Sequence, residues 1–427
     1  MNRSCCLVLL AASMLLPSCG ASTSQDRRAS GATTTDPEPG ANRSRVPSAE
    51  LDSLARSNNV FGLTLWSKLR SQPGNLAISP ASISLALGMT YGGARGETAA
   101  QMKRTLALTL ADDRVHAGLG DTIARWNGSG DRGYELKVAN RLFADRSTTF
   151  VPEFLALTRD AYRAPAERLD FQGAPDPSRV RINEWVESQT RDRIRDLLPD
   201  GSITPDVRLV LVNAIYFKGA WARRFEERDT RDGSFQVSSS RRVSARMMSQ
   251  TATFAFAELD GVKVLEMPYV GDDLSMVVLL PAEPGLDGLE ARLDAESFDR
   301  WVAAARPTEE LFVSMPRFKI DPPAPLALKP QLADMGMPLA FAHDADFTAM
   351  LPRAAGSLWI DDVYHKAFVE VNEQGTEAAA ATAVVMITES AVAERPTFVA
   401  DHPFLFFVRD RHTGAILFMG RVIEPRG

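Results

Sequence analysis

The chain has 427 residues, 45% of them hydrophobic and 24% charged, and its formal net charge is −6 at pH 7. These values are typical of a soluble globular protein with a large core, and they exclude the basic footprint of a nucleic-acid-binding protein. No two histidines stand three to five residues apart, and the HExxH, GxSxG and Walker motifs do not occur. The sequence therefore indicates neither a zinc site nor an enzyme of these classes.

The N-terminus carries an export signal. Arg3 precedes an apolar run from Leu7 to Leu16, which is too short to span a bilayer and has the length of a signal-peptide core. The run ends in Leu16-Pro17-Ser18-Cys19, which resembles a bacterial lipobox and implies lipidation of Cys19. Residues 1–18 would then be a lipoprotein signal peptide. The alternative is a plain secretory signal with an incidental cysteine.

Residues 19–50 are predicted to be a flexible, lipidated tether, because they are rich in Ser, Thr, Gly, Pro and charge. Gly20, and not an aspartate, follows the lipidated cysteine, which favours the outer membrane if the cell has two membranes. Cys5 and Cys6 would leave with the signal, so the mature chain has no internal disulfide. We expect an exported monomer that is anchored to the cell envelope through Cys19, or else is extracellular.

Residues 51–427 are predicted to form one folded domain. Ser48 is the predicted N-cap of a first helix that ends before Gln72-Pro73-Gly74. Four apolar residues repeat on this helix at helical spacing: Leu54, Phe61, Leu65 and Leu69. Ser79-Pro80 is predicted to begin a second helix, which ends at Gly92-Gly93.

Apolar runs in the second half predict strands. Leu209–Phe217 is apolar without alternation, which predicts a strand buried on both faces. Three further runs predict strands: Met276–Leu280, Phe312–Met315 and Val363–Val371. Phe404–Val408 and Ile416–Val422 predict a hairpin. Early helices followed by many strands favour an α+β fold.

The segment from Glu373 to Ile387 combines contradictory preferences. Gly375 is a pivot, the alanines from Ala378 to Ala381 favour a helix, and the β-branched residues that follow favour a sheet. Composition alone favours an alanine-rich surface helix. The small residues would also suit a segment that lies exposed and later enters a sheet. A conflict between helix and sheet preferences within one segment is typical of a functional site.

From about Leu51 to Pro425 the chain resembles the serpin family. Five motifs in the same order carry the resemblance: Asn75 with Ser79-Pro80 and Ser82, Asn213–Trp221, Tyr364-His365-Lys366, Gly375-Thr376-Glu377 with Ala378–Ala381, and Ala400–Phe406. The resemblance implies an α+β serpin fold with a large central mixed β-sheet, smaller sheets, about eight or nine helices and an exposed reactive loop.

The same resemblance implies an irreversible suicide inhibitor of serine or cysteine endopeptidases. The protease would form its acyl-enzyme ester with the loop, and the cleaved loop would insert as a strand into the central sheet of a metastable fold. The implied partner is the protease in a covalent complex, and no cofactor is implied. The alternative is a non-inhibitory serpin-fold binding protein, whose loop need not insert.

The resemblance assigns roles to two groups of residues. The hinge comprises Glu373, Gly375, Thr376, Glu377, Ala378, Ala379, Ala380, Ala381 and Thr382. The region where the sheet opens comprises Ser79, Ser82, Asn213, Trp221 and His365. In an inserted strand, alternate residues from Thr376 to Met386 would face the core and Glu377 would face solvent. Without the resemblance, His365 would be interpreted as an ordinary core histidine.

The scissile bond follows from loop length. The usual inhibitory loop has seventeen residues from the glutamate before the hinge to the scissile residue, and counting from Glu373 gives Glu389, followed by Ser390. That bond would select a protease that accepts an acidic side chain. A different loop length would move the bond to Thr388, Ser390 or Met386, and Glu389 would then be a solubilising charge.

Overall fold

The computed structural model describes residues 46–128, 132–376 and 395–426, which belong to one compact unit, Ser44–Gly427. The predicted signal peptide, Cys19, the hinge from Glu377 to Thr382 and the predicted Glu389–Ser390 bond lie outside the described residues. No helix within the described ranges is long and apolar enough to cross a membrane.

The described residues form nine α-helices. They are α1 (Ser48–Leu69), α2 (Pro80–Tyr91), α3 (Gly96–Thr105), α4 (Asp112–Trp126), α5 (Pro152–Asp160), α6 (Pro175–Gln189), α7 (Asp287–Ala291), α8 (Ala295–Ala304) and α9 (Lys329–Asp334). The predicted start of α2 is confirmed, because Ser79 is its N-cap and Pro80 its first residue. The predicted cap of α1 is wrong: Pro47 is the N-cap and Ser48 is already helical, so α1 begins inside the segment 19–50 that was predicted to be tether.

The largest sheet within the described residues has nine strands. They are β1 (Leu76–Ile78), β5 (Arg231–Ser238), β6 (Arg241–Leu259), β7 (Val262–Pro268), β8 (Leu274–Pro281), β9 (Arg306–Pro316), β15 (Thr397–Val399), β16 (Phe404–Asp410) and β17 (Ile416–Val422). Their order is β1-β17-β16-β8-β7-β6-β9-β15, and β5 pairs with β6. The predicted hairpin is confirmed by the antiparallel pairing of β16 with β17.

A second, six-stranded sheet is mixed, because β2 and β3 run parallel and the other neighbours antiparallel. It contains β2 (Tyr134–Asp145), β3 (Ala166–Leu169), β4 (Leu209–Ala220), β10 (Phe318–Ile320), β13 (Val369–Asn372) and β14 (Gly375–Thr376), in the order β10-β13-β14-β4-β2-β3. A two-stranded sheet pairs β11 (Leu326–Ala327) with β12 (Tyr364–His365).

Two strand predictions need correction. The predicted strand Val363–Val371 is two strands, because β12 pairs with β11 whereas β13 pairs with β10 and β14. The predicted strand Leu209–Phe217 exists within β4, but its first three residues are only half-buried, because they border a cavity. The α+β class itself is confirmed by the described helices and mixed sheets.

Alternate residues of β4 enter different parts of the core. Ile215 and Phe217 belong to the main cluster between the sheets. Val212 and Ala214 face the other way and join a cluster with Trp185 of α6. β4 is therefore the strand that separates the main core from the layer formed by α6.

Candidate functional site

A cavity of about 580 Å³ lies beside β4 in the six-stranded sheet. Consecutive residues line both sides of it, from Leu209 to Ile215 on β4 and from Ala355 to Lys366 opposite. Within the described ranges no backbone hydrogen bond joins these two stretches. The other edge of β4 is paired with β2 from Leu209 to Gly219. We call the space between the two stretches the insertion gap.

The short strand β14 closes one end of the insertion gap. Gly375 lies opposite Ala220 of β4 and Thr376 opposite Gly219, while their other neighbours are Asn372 and Val371 of β13. The first two hinge residues after Gln374 are thus already a strand between β4 and β13. At Thr376, the last residue described before the loop, β14 runs antiparallel to β4.

Gly375 is required at this position by its backbone. Its φ is +148°, a region that side chains rarely adopt, and a Cβ would lie 1.9 Å from the carbonyl oxygen of Gly219. Only glycine therefore lets the hinge approach β4 this closely, and the role of Gly375 as a pivot stays a prediction.

Aromatic residues surround Thr376. Its side chain is buried, and its hydroxyl lies 2.7 Å from the hydroxyl of Tyr269. The Tyr269 ring stacks on Trp221 with 4.6 Å between centroids, and the Trp221 indole nitrogen donates to the carbonyl of Asn372 at 3.0 Å. Burial raises the pKa of Tyr269, so its hydroxyl stays neutral. Trp221 and Tyr269 therefore form one side of the surroundings of Thr376.

Glu373 fixes the base of the hinge. Its carboxylate is 2% exposed and accepts hydrogen bonds from the Nε of Arg317 at 2.6 Å and from the hydroxyl of Thr230. Its carbonyl accepts the backbone N–H of Phe225 at 2.9 Å. Because a buried carboxylate is costly without partners, these donors hold Glu373 in place.

Sequence reasoning gave no role to Arg317 or Tyr269. Arg317 lies 56 residues from Glu373 in the chain, and Tyr269 lies 107 residues from Thr376. No local sequence pattern around either residue indicates a role at the hinge. The pairing of β10 with β13 brings Arg317, the residue before β10, to the hinge. The isolated bridge between Trp221 and Tyr269 brings Tyr269 there.

The remaining residues of the predicted opening region lie further along the insertion gap. Ser82, Asn213 and His365 line the cavity. Ser79 lies behind them: its backbone N–H donates to His365 Nε2 at 3.0 Å, and its hydroxyl donates to the carbonyl of Leu417 at 2.6 Å. Burial lowers the pKa of His365 to about 4, so the ring is neutral and Nε2 is an acceptor at neutral pH.

Asn213 is only partly satisfied. Its Nδ2 donates to Asn140 Oδ1 at 2.6 Å, but its own Oδ1 is buried and has no hydrogen-bond partner within the described part of the chain. The hydroxyl of Ser202, which also lines the cavity, is likewise buried and has no hydrogen-bond partner among the described residues. The wall of the insertion gap therefore contains buried polar atoms that a new strand could satisfy.

The chain was compared with known proteins. A family model described as Serpin (serine protease inhibitor) matches residues 56–425. Serpin B3 of Homo sapiens is 42% identical over 395 residues, which cover 88% of this chain and 100% of the relative. The leukocyte elastase inhibitor of Bos taurus is 41% identical over 388 residues, with 88% and 100% covered. The structure of human thyroxine-binding globulin complexed with thyroxine has a TM-score of 0.78 at 26% identity, covering 88% of this chain and 100% of that chain.

The hinge anchor generates a stability prediction. Arg317→Gln should destabilise the uncleaved protein by about 2 kcal/mol, because it removes a charged donor from the buried Glu373 carboxylate, which keeps only the Thr230 hydroxyl among its charged and hydroxyl donors. Arg353→Gln breaks an exposed pair with Asp346 and should change stability by less than about 0.5 kcal/mol. Urea unfolding of both variants would measure this. Equal midpoints for the two variants would show that the anchor contributes nothing.

Proposed function

This chain belongs to the serpin family, and from that membership we propose that it traps serine or cysteine endopeptidases irreversibly by inserting its cleaved loop beside β4. The membership confirms the predicted serpin fold. It also confirms that the chain is not an enzyme, since the family is described as serine protease inhibitors and the bovine relative is named an elastase inhibitor. The single observation that carries the proposed mechanism is the unpaired edge of β4 in line with β14.

The register of β14 supports this mechanism. Each residue forward along the loop corresponds to one residue back along β4, starting from Thr376 opposite Gly219. Ala378 would then lie beside Phe217, and Met386 beside Leu209, the first residue of β4. About ten inserted residues would fill the edge, which at about 3.3 Å per residue is roughly 33 Å of strand.

The same register gives Thr382 a specific position. Counting from Gly219 puts Thr382 beside Asn213, and counting from Val371 on the other side puts it beside His365. Thr382 is on the same strand face as Thr376, which is buried. Its hydroxyl would therefore point toward the polar side chains that line the insertion gap and could donate to the unpaired Oδ1 of Asn213.

The reaction begins as ordinary proteolysis. The serine hydroxyl or cysteine thiol of the protease attacks the scissile carbonyl and gives up its proton, the peptide nitrogen takes a proton and leaves as an amine, and an ester or thioester joins the protease to the hinge side of the loop. The hinge side remains attached to β14 and inserts, carrying the protease with it before water hydrolyses the ester. Strand addition of this kind is known for serpin loops.

We propose that insertion gains more free energy than the ordering of the loop costs in conformational entropy. About ten inserted residues, each gaining backbone hydrogen bonds worth roughly 1 kcal/mol net, contribute on the order of 10 kcal/mol. Burial of the apolar side chains adds to that value. The uncleaved fold is accordingly metastable.

We assign the scissile bond to Glu389–Ser390, with Thr388 and Met386 as the residues that a different loop length would select. The name of the relative, leukocyte elastase inhibitor, supports a serine endopeptidase as the target class. Thyroxine-binding globulin has the same fold, which supports the alternative of a binding protein without inhibition. Formation of a covalent adduct with a protease would distinguish an inhibitor from a binding protein.

We also propose that Cys19 is lipidated and that the protein is anchored to the envelope through the segment 19–50. The lipobox-like sequence Leu16–Cys19 supports this proposal. Two or three acyl chains would give firm anchoring, whereas a single chain binds only marginally. A tether would keep the inhibitor at the cell surface.

Incubation with a panel of serine and cysteine endopeptidases, including a glutamyl-specific one, should give an SDS-resistant adduct at the summed mass. Thr376→Arg should be cleaved without an adduct, because a charge cannot be buried beside Tyr269 and Trp221 and would displace β14, from which insertion proceeds. Thr64→Arg makes the same change on the exposed side of α1 and should trap like the wild type. Loop cleavage with no adduct from any protease would favour the binding-protein alternative.

Thr382→Val tests the register. It should destabilise the cleaved protein by about 1–3 kcal/mol, because Asn213 Oδ1 remains unpaired, and it should leave the uncleaved protein unchanged. Thr388→Val lies beyond the paired length and is the control. The measurement is the guanidinium midpoint of each cleaved variant. Identical midpoints for both cleaved variants would refute the register.

Cys19→Ala tests the anchor. The wild-type protein expressed in a bacterial host should incorporate labelled fatty acid and partition into detergent, and the variant should do neither. Because Cys19 is far in sequence from the hinge, the variant should still trap proteases. Absence of label in the wild type would leave ordinary secretion as the explanation of the N-terminal signal.

A further inference from the structure

A second cleft, of about 620 Å³, lies where the end of α2 meets α3, α4 and α5. It shares no lining residue with the cavity at the insertion gap. Much of its wall consists of glycine and alanine: Gly92, Ala94, Gly96, Ala99 and Ala100. Small residues leave room between the helices, and a cleft of this volume can hold a small organic molecule. We call it the helix cleft.

Gly92 brings the end of α2 against α4 and α5. A Cβ at this position would lie 2.5 Å from Leu157 Cδ2 and 3.2 Å from His116 Cε1, and both of these residues line the helix cleft. The centroid of the Tyr91 ring lies 5.8 Å from that of His116. Three helices therefore build an apolar and aromatic wall.

A polar contact joins α2, α3 and α4 at the helix cleft. Asp112 Oδ1 accepts hydrogen bonds from Lys103 Nζ and from the hydroxyl of Tyr91, both at 2.7 Å. Lys103 and then Tyr91 lower the pKa of Asp112, so the carboxylate is ionised at neutral pH. Lys103 balances this negative charge, and the carboxylate therefore adds no net negative charge to the helix cleft.

His116 supplies a hydrogen-bond donor. Its Nδ1 lies 2.6 Å from the hydroxyl of Tyr162, which is fully buried and has no other hydrogen-bond partner within the described residues. The buried O–H therefore donates to Nδ1. Burial lowers the pKa of His116 to about 4, so the ring is neutral at pH 7 and its one proton is on Nε2. In the described part of the chain Nε2 has no hydrogen-bond partner.

Arg95 gives the helix cleft an excess of positive charge. It is the exposed N-cap of α3, and its Nη1 donates to the carbonyl of Ala94 at 2.7 Å. Among the described residues no carboxylate forms an ion pair with Arg95, and its Nε and Nη2 have no partner. Besides burial, Asp112 and Arg95 act on the pKa of His116, Asp112 raising it and Arg95 lowering it. The charge of Arg95 is therefore close to the donor on His116.

We infer that the helix cleft binds a small organic carboxylate. The carboxylate group would accept hydrogen bonds from Arg95 and from His116 Nε2, because a guanidinium matches the planar geometry of a carboxylate. The apolar part of the ligand would lie against Ala99 and Leu157. Since this cleft is separate from the insertion gap, the inference does not depend on the proposed inhibition.

A competing explanation is that the helix cleft is a groove filled only with water. The two explanations differ in their response to anions. A water-filled groove beside a charged residue would respond to every salt through ionic strength alone. A binding site would distinguish an organic carboxylate from chloride and would saturate.

Nuclear magnetic resonance of the full-length protein with isotope-labelled histidine tests the inference. The chain has five histidines, and His116→Gln identifies the side-chain signal of His116. Sodium benzoate should shift this signal saturably, with a Kd on the order of 1 mM, as expected for a ligand of its size. Sodium chloride at the same ionic strength should not. Absence of a saturable benzoate shift, or an equal shift with chloride, would overturn the inference.

Three variants locate the bound benzoate. Arg95→Gln should raise its Kd about tenfold, because a charged hydrogen bond is lost. Arg104→Gln makes the same charge change on α3, where the side chain pairs with Glu97 at 2.8 Å and does not line the helix cleft, and should leave the Kd unchanged.

Ala99→Leu fills the helix cleft without changing any charge, and it should abolish the saturable shift. A melting curve without ligand checks that each variant is folded. A Kd that stays at the wild-type value in both Arg95→Gln and Ala99→Leu would show that benzoate binds elsewhere, and would overturn the assignment.

Discussion

The unpaired edge of β4 is the constraint on which the rest of the structure depends. A strand edge presents a row of backbone donors and acceptors, and an interior edge with no partner is a template for another strand. Within the described residues, β4 pairs fully with β2 on one side and only with two hinge residues on the other. In the proposed mechanism, a lower free-energy arrangement would become available to this fold when a strand with suitable side chains reaches the edge.

The hinge determines which strand can reach it and in which register. Glu373 is fixed by Arg317 and Thr230, and Gly375 is pressed against the carbonyl of Gly219. A shift of one residue would turn every side chain to the opposite face, so a fixed starting point also fixes which loop residues meet the core. In the proposed mechanism, the anchored base would set the direction of the inserting strand, and the open edge would supply the free energy of insertion.

How much of this could be read from the sequence depends on how far apart the partners lie. Ser79-Pro80 and the glycine of the hinge are local signals, and both could be located without coordinates. Arg317 and Tyr269 could not, because they reach the hinge through strands that are distant in sequence. The division of Val363–Val371 into two strands could not be predicted for the same reason. It results from pairing with β11, which has only two residues and no recognisable sequence pattern.

The side chains of Asn213 and His365, which line the insertion gap, are polar, and apolar side chains there would favour insertion less. Hydrophobic side chains at Asn213 and His365 would let the two sides of the gap close on each other, and burial would stabilise the closed sheet without a new strand. A buried acceptor such as Asn213 Oδ1 disfavours that closure, because an unpaired polar atom is costly in a dry interior. The neutral His365 is satisfied from behind by the backbone of Ser79, so it holds its side of the gap without adding charge. In the proposed mechanism, these polar side chains would raise the free energy of the uncleaved state more than that of the inserted one, and this difference would favour insertion.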